Sequence, residues 1–325
     1  MLFGITVMLL GALVLMVLRL LEQSDEHVKT VKGMKVKFAK TQFQPGIDET
    51  TAELQRDLKA DPNRKQANYR NLELNERSFK LIARMKHLSS LELNDCVFDP
   101  SYIRYLERLP LSKLDLSGND IGDQAMTPVG KIKTLTTLKF ADTKCSGKAL
   151  EICKELTNLQ VFEVNGLSVH DEDLKWIENC PIVDLNIAGT KVTDAGCDSI
   201  AKLVTLMKLD VSRTKITGAG LARLKTLVNL DVLRIRDCKL NDTDLALFAQ
   251  FPRLRTLHLN KSDISDKGIM ALGKSNSLRM VEIVNSPNVT KAGVEKFSKT
   301  YKKMWLKVTS EVSGFSRYAE FLPEN

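Results

Sequence analysis

Aromatic side chains are scarce in this sequence, at 6% of 325 residues, so the stacked ring platforms that single-stranded nucleic-acid binders use are not provided for. Histidines number only four, His27, His87, His170 and His258, and they are scattered without metal-ligand spacing. No glycine-rich phosphate loop and no nucleophile elbow occurs. No cysteine precedes Cys96 and position 2 is Leu, which excludes a lipidated N-terminal cysteine and N-myristoylation. What is present is ample apolar content (43%) for a core and an ordinary 27% of charged residues. The net charge of +8 is compatible with a membrane surface or an acidic partner without demanding nucleic acid.

The one long apolar run is at the start. Leu2 to Leu18 is uninterrupted, and Leu20 and Leu21 extend it past Arg19. Roughly 20 residues give about 30 Å of helix, enough to cross a bilayer if Arg19 snorkels to the interface. A cleaved signal peptide fits less well, because no Lys or Arg precedes the run and no small-x-small site follows it. The sequence therefore predicts a transmembrane anchor at 1–21. Behind it stand Arg19, Lys29, Lys32, Lys35, Lys37 and Lys40, and the positive-inside rule then places the rest of the chain in the cytoplasm. These lysines belong to a basic linker and N-terminal cap at 22–66. Within it Met34, Val36 and Phe38 alternate with other residues as in a short strand, and Asp48 or Thr50 can cap a helix ending near Ala60 with Leu54 and Leu58 inward.

A repeat fills the remainder. Lines beginning at Tyr69, Leu88, Leu111, Leu135, Leu159, Ile182, Leu206, Leu230, Leu254 and Leu278 each read as L-x-x-L-x-L, at intervals of 19, 23, 24, 24, 23, 24, 24, 24 and 24 residues. The alternating positions, such as Leu91 and Leu93 or Leu209 and Val211, predict a short strand with one buried face. Eight places in, small polar side chains recur (Cys96, Asn119, Thr143, Thr190, Thr214, Cys238, Ser262 and Ser286), suited to backbone groups left open where the strand turns, with Leu167 as an exception. In the first unit this column falls on Arg77, and that unit reads as five residues short. Eleven places in, Asp99, Ser146, Thr193, Thr217, Asn241 and Ser265 are helix N-caps. Past them apolar residues recur every three positions, as in Leu221, Leu224 and Leu227, or Leu245, Phe248 and Phe251.

Segments such as LMKLDVSRTKITGAGLARLKTL (206–227) and IVDLNIAGTKVTDAGCDSIAKL (182–203) resemble the leucine-rich-repeat family. They are most similar to its strand-plus-helix subtype with a TxITDxGL turn, seen in bacterial and ribonuclease-inhibitor-like members. The resemblance covers about Tyr69 to Val308. It implies an α/β solenoid of about ten 23–24-residue repeats, with a curved parallel sheet inside and helices outside, over residues 67–308. Met304 to Val308 can supply a closing strand, with Trp305 or Leu306 over the last rung, and 309–325 reads as a tail.

All six cysteines fall in core columns. Cys96 and Cys238 lie in the polar column, Cys145 takes the place of Ile216, and Cys197, Cys153 and Cys180 take those of Leu221, Leu224 and Leu227. They are expected to be buried free thiols, in keeping with a reducing compartment. The run His170-Asp171-Glu172-Asp173 is the most polar stretch, but it opens a helix, where acids favour the macrodipole. No catalytic centre, cofactor or small-molecule substrate is indicated.

The informative surface is the concave one, read from outward strand positions. Its N-terminal end shows Glu73, Glu76, Glu92, Asp95, Asp115 and Asp142; its C-terminal end shows Arg213, Arg234, Arg236, His258 and Lys261 beside Asp210 and Asp237. Such a bipolar face would orient a protein partner of complementary charge. The favoured function is a membrane-anchored protein-binding scaffold. A lipid- or polyanion-surface protein using Lys291, Lys296, Lys299, Lys302, Lys303 and Lys307 is the rival. An adaptor of an enzyme complex is a variant, although no adaptor-binding helical domain fits between Arg19 and Tyr69.

Overall fold

The computed structural model describes residues 47–260 and 262–309, with the backbones of three short strands at 29–31, 34–36 and 319–320. The chain divides into two compact units, Met1–Phe43 and Gln44–Asn325. In the first, β1 (Lys29–Val31) and β2 (Met34–Val36) pair antiparallel. Among the described residues no helix is long and apolar enough to cross a membrane. The anchor expected at residues 1–21 lies outside the described residues, as do most of the basic linker and most of the tail.

The second unit is a solenoid. After helix α1 (Ile47–Ala60) come β3 (Gln66–Arg70), β4 (Ser90–Asn94), β5 (Lys113–Asp115), β6 (Thr137–Lys139), β7 (Val161–Glu163), β8 (Asp184–Asn186), β9 (Lys208–Asp210), β10 (Val232–Arg236), β11 (Thr256–Asn260), β12 (Met280–Val284) and β13 (Trp305–Thr309). They form one sheet in chain order, each parallel to the next, and β14 (Ala319–Glu320) adds antiparallel to β13. Parallel neighbours need a crossover, and here every crossover is the outer half of a repeat. The inward residues stack in two columns, exemplified by Leu114 and Leu116, Phe162 and Val164, Leu209 and Val211, and Leu257 and Leu259, each no more than 1% exposed. Each such side chain contributes about 1.5–3 kcal/mol by leaving water.

The register corrects the reading of the first unit. Ala67 pairs with Leu91 and Tyr69 with Leu93, so the first strand precedes the second by a full period and no residues are missing. Leu72, and not Arg77, takes the place of Cys96. The strand sequence QANYR offers only Ala67 and Tyr69 inward, whereas Leu72 and Leu74 imitate the L-x-L signal just after the turn. Asn71, with a φ of 56°, marks where that turn falls.

The outer elements differ from the expected helices. Pro100–Leu106, Gly147–Glu155, Asp171–Ile177 and Asp244–Gln250 are 3-10 helices, whereas Gly218–Arg223 and Asp266–Leu272 are short α-helices. The apolar spacing suits the tighter winding, although Leu221, Leu224 and Leu227 share it on a segment that begins α-helical and tightens to 3-10 only at Leu224–Thr226. Residues at i, i+3 and i+6, such as Leu245, Phe248 and Phe251, share one face at three residues per turn, and all three are at most 1% exposed.

Capping holds adjacent repeats together as well as starting each helix. The Thr217 backbone N–H and hydroxyl both donate to the Asp194 carboxylate of the preceding repeat, each at 2.7 Å. The same clasp joins Ser146 to Asp123, Thr193 to Asp171, Ser265 to Asp242 and Thr290 to Asp266. Where Gly147 or Gly218 stands in place of the aspartate, the residue at the corresponding place in the next repeat, His170 or Asn241, donates its own N–H to an aspartate three residues on, Asp173 or Asp244, although the helix after Asn241 is capped at Thr243. That carboxylate lies where a side chain on the glycine would be, since a Cβ on Gly218 would sit 1.9 Å from Asp244 Oδ1. Asp171 and Asp173 of the 170–173 run are therefore structural, and Glu172 is exposed.

Most of the polar column is buried and bonded as expected, the exception being Ser286, whose buried hydroxyl has no hydrogen-bond partner among the described residues. Asn119 Nδ2 donates to the carbonyls of Leu93 and Leu116 at 2.6 and 2.7 Å, and its Oδ1 accepts from the Cys96 N–H. Thr190 and Thr214 donate to Ile187 and Val211 carbonyls at 2.7 Å. All six cysteines are free and buried. Burial pushes the Cys197 thiol up to about 12 and Cys96 up to about 11, so these sulfurs stay protonated and unreactive at neutral pH.

The ends are closed differently. At the N-terminus Leu54 of α1 is fully buried against the first rung, with Leu58 packed beside it. The helix starts at Ile47, so Asp48 and Thr50 lie within it instead of capping it. At the C-terminus β13 runs Trp305–Thr309, and Leu306 is the inward residue that covers Val281.

Candidate functional site

Outward strand positions form the solvent face of the sheet. Its middle row reads Asn68, Glu92, Asp115, Lys139, Glu163, Asn186, Asp210, Arg234, His258, Glu282 and Lys307, because these residues are mutually in register from β3 to β13. Of the residues predicted for the face, Glu92, Asp115, Asp210, Arg234 and His258 lie in this row, and Arg236 lies two positions farther along β10. Lys261 lies outside the described residues.

Asp95 and Asp237 stand one step past their strand ends, and Asp142 and Arg213 three steps past theirs, with φ of 53°, 57°, 53° and 57°. This is the left-handed turn, which Asp and Asn tolerate through local hydrogen bonding and a bulky Arg does not favour. Glu73 and Glu76 are not on the face. Glu73 bridges Val97 beyond the turn at Asn71, and Glu76 opens the outer helix Glu76–Ile82, where it pairs with Lys80, Arg104 and Tyr105. Both follow from the corrected register of the first unit.

The face is electrostatically uneven in a way that the sequence left unread. Glu92 bonds Asn68 and pairs with Lys113, and Lys139 pairs with Glu163 at 2.7 Å. Burial alone would lower the Lys139 ammonium, yet the hydrogen bond and charge of Glu163 raise it. Asp184 meets Lys208 at 3.5 Å. Near the far end Glu282 accepts from Lys307 at 3.0 Å and lies 2.9 Å from His258 Nδ1. Its partial burial works to raise its pKa, but the bonds from His258 and Lys307 outweigh that and hold it below the usual carboxylate range.

Between these paired stretches lie Arg213, Arg234 and Arg236. Arg234 is in register with Asp210, and the Arg213 N–H donates to the Arg236 carbonyl at 2.6 Å, which sets the three side by side across β9 and β10. Asp210 turns one oxygen to the Ser212 N–H at 2.9 Å. None of the three guanidinium groups has a hydrogen bond or ion pair among the described residues. The described residues hold no cluster suited to a metal ion. Lys139, Glu163 and Glu282 were missed by sequence reasoning, and Lys307 was read only as part of a candidate polyanion surface, although the alternation about each buried pair marks their positions.

Comparison with known proteins agrees with this geometry. A family model described as "Leucine Rich repeat" matches residues 110–129, 178–201, 202–225 and 253–273. The chain carries leucine-rich repeats, and its fold is that of an α/β leucine-rich-repeat solenoid. No curated protein matches it in sequence. Among solved structures, the internalin inlF of Listeria monocytogenes is similar at 16% identity and a TM-score of 0.50, over 76% of this chain and 79% of that one. Internalin C2 of the same organism is 21% identical with a TM-score of 0.43, over 72% and 83% of the two chains. The plant peptide hormone receptor RGFR1, solved in complex with RGF2, is 16% identical with a TM-score of 0.47, over 88% of this chain and 49% of that one. At such identities the likeness concerns the fold alone.

Proposed function

We propose that the chain is a non-catalytic protein-binding scaffold, held at a membrane by residues 2–21 with its repeats on the cytoplasmic side. The observation that carries the binding role is the group Arg213, Arg234 and Arg236, without partners among the described residues, on a face whose other charges are largely paired. A desolvated arginine that meets a carboxylate gains far more than a solvated one, and a rigid array of strands presents all three without further ordering. The partner surface is accordingly acidic. Leucine-rich-repeat folds offer a long sheet for such contacts, and the anchor would confine them to a membrane surface.

Proximity labelling from the intact protein identifies the partner, and protease accessibility in sealed vesicles fixes the side on which the repeats lie. The triple reversal R213E/R234E/R236E is then expected to abolish recovery of that partner by the full-length chain. Unchanged recovery would sink the assignment of this face.

A further inference from the structure

A second surface lies along the edge by which the chain enters each strand. The residue before each strand forms a column there, since each donates its N–H to the carbonyl of the one before it, from Ser112 through Arg279. In the early repeats the column is closed by hydroxyls: Ser89 donates to Lys65 O, Ser112 to Ser89 O and Thr136 to Ser112 O, at 3.0 to 3.1 Å. From Gln160 on it reads Val183, Met207, Asp231, Arg255 and Arg279. The hydroxyl seal stops and an open groove of about 760 Å³ begins, with Pro181, Val183, Met207 and Pro252 among its lining.

Two independent features mark this groove as a docking site. The first is apolar exposure: among the described residues the large hydrophobic side chains that face water are Val97, Val204, Met207 and Val228, and of the last three, 61%, 43% and 51% exposed, Met207 lines the groove while Val204 and Val228 immediately precede its lining residues Thr205 and Asn229. The second is charge. Arg253, Arg255 and Arg279 line the groove against a single carboxylate, Asp231, which Arg255 grips with two bonds of 2.6 Å. Among the described residues Arg253 meets only the Asn229 amide oxygen, and Arg279 only the carbonyls of Asn276, Ser277 and Leu278. Two guanidinium groups therefore flank an exposed apolar floor without any carboxylate.

We infer that this edge groove binds an extended protein segment in which apolar side chains alternate with carboxylates. Apolar residues of the segment cover Met207 and Val204, and its acids pair with Arg253 and Arg279. The basic stretch behind the expected anchor has the wrong charge for this site. The site is separate from the sheet-face arginines, so either surface can fail without the other.

The probes are three labelled 12-residue peptides: alternating Leu and Glu, the same with Lys for Glu, and the same with Ser for Leu. Fluorescence polarisation with the full-length protein is expected to show binding of the first alone. V204S/M207D and R253E/R279E should each weaken that binding at least about tenfold, a loss of about 1.4 kcal/mol or more, while R213E/R234E/R236E leaves it unchanged. All substituted side chains are exposed or on the groove rim, and unchanged thermal melts confirm folding. Absence of binding, or equal binding of the three peptides, overturns the inference. So does binding lost with the sheet-face triad and kept in the groove variants. Anionic vesicles bound through Arg253 and Arg279 with no effect of V204S/M207D would make the edge a lipid contact instead, and self-association in sedimentation that the same variants break would make it a contact between copies.

Discussion

The first and the later repeats use the same interior and opposite exteriors. Inside, Phe162 in β7 and Leu233 in β10 occupy one column, both fully buried. Outside, the early half ties its charges and hydroxyls to one another, through Lys113 with Glu92, Lys139 with Glu163, and the chain of Ser89, Ser112 and Thr136. The later half leaves Arg213, Arg234 and Arg236 without partners among the described residues and Val204, Met207 and Val228 exposed. Stability asks the same of every repeat, so the interior cannot vary. The exterior is free to vary, and where it gives up internal partners it becomes available to others.

This contrast can be broken at several depths. The largest effect is expected from the interior: Phe162→Ala and Leu233→Ala should each cost about 3–5 kcal/mol in urea denaturation, the lower part of that range for the leucine. A much milder loss in the later half would mean that its core is looser and the equivalence false. Next comes the clasp between repeats. Asp194→Ala strips the acceptor from the Thr217 N–H and hydroxyl and should cost about 1.5–3 kcal/mol.

Smaller effects separate the two exteriors. Glu163→Lys sets two ammonium groups together where an ion pair stood and should cost about 1 kcal/mol or less, with partner recovery intact. R213E/R234E/R236E should shift stability by only about 0.5 kcal/mol while recovery is lost. The opposite pattern would place the binding surface in the early repeats. The smallest expected effect is one of pH. Because the folded-state pKa of Glu282 is lowered, its contribution is complete above the unfolded value near 4.3 and disappears as pH falls through the folded one. Glu282→Gln should therefore reduce the difference between urea midpoints at pH 7 and pH 3.

Most of the repeat was legible because Leu, Val and Ile recur with one period, and burial on one face of a strand demands that pattern. Legibility failed at Gln66–Arg70, where Ala67 and Tyr69 serve inward and the louder Leu72 and Leu74 follow the turn. That slip also misplaced Glu73 and Glu76, since side-chain direction alternates with register. The sheet-face arginines were visible as residues, but their lack of partners was not, because Asp210 stands beside Arg234 in register and yet bonds Ser212. The edge groove gave no sequence signal, since Val183, Met207, Arg255 and Arg279 look like ordinary loop residues until the column aligns them.

The sequence by itself determined the repeat, the inward columns, the N-caps at Asp99, Ser146, Thr217 and Ser265 (though not those at Gly196 and Thr243, expected at Thr193 and Asn241) and the burial of all six cysteines, because these depend on periodicity and local chemistry within one unit. The tertiary structure alone decided the register of the first strand, the winding of the outer segments, the clasps between aspartates and the next repeat's caps, and which surface charges neutralise one another. Those depend on residues about 24 positions apart being brought side by side, and that adjacency exists only once the solenoid is wound.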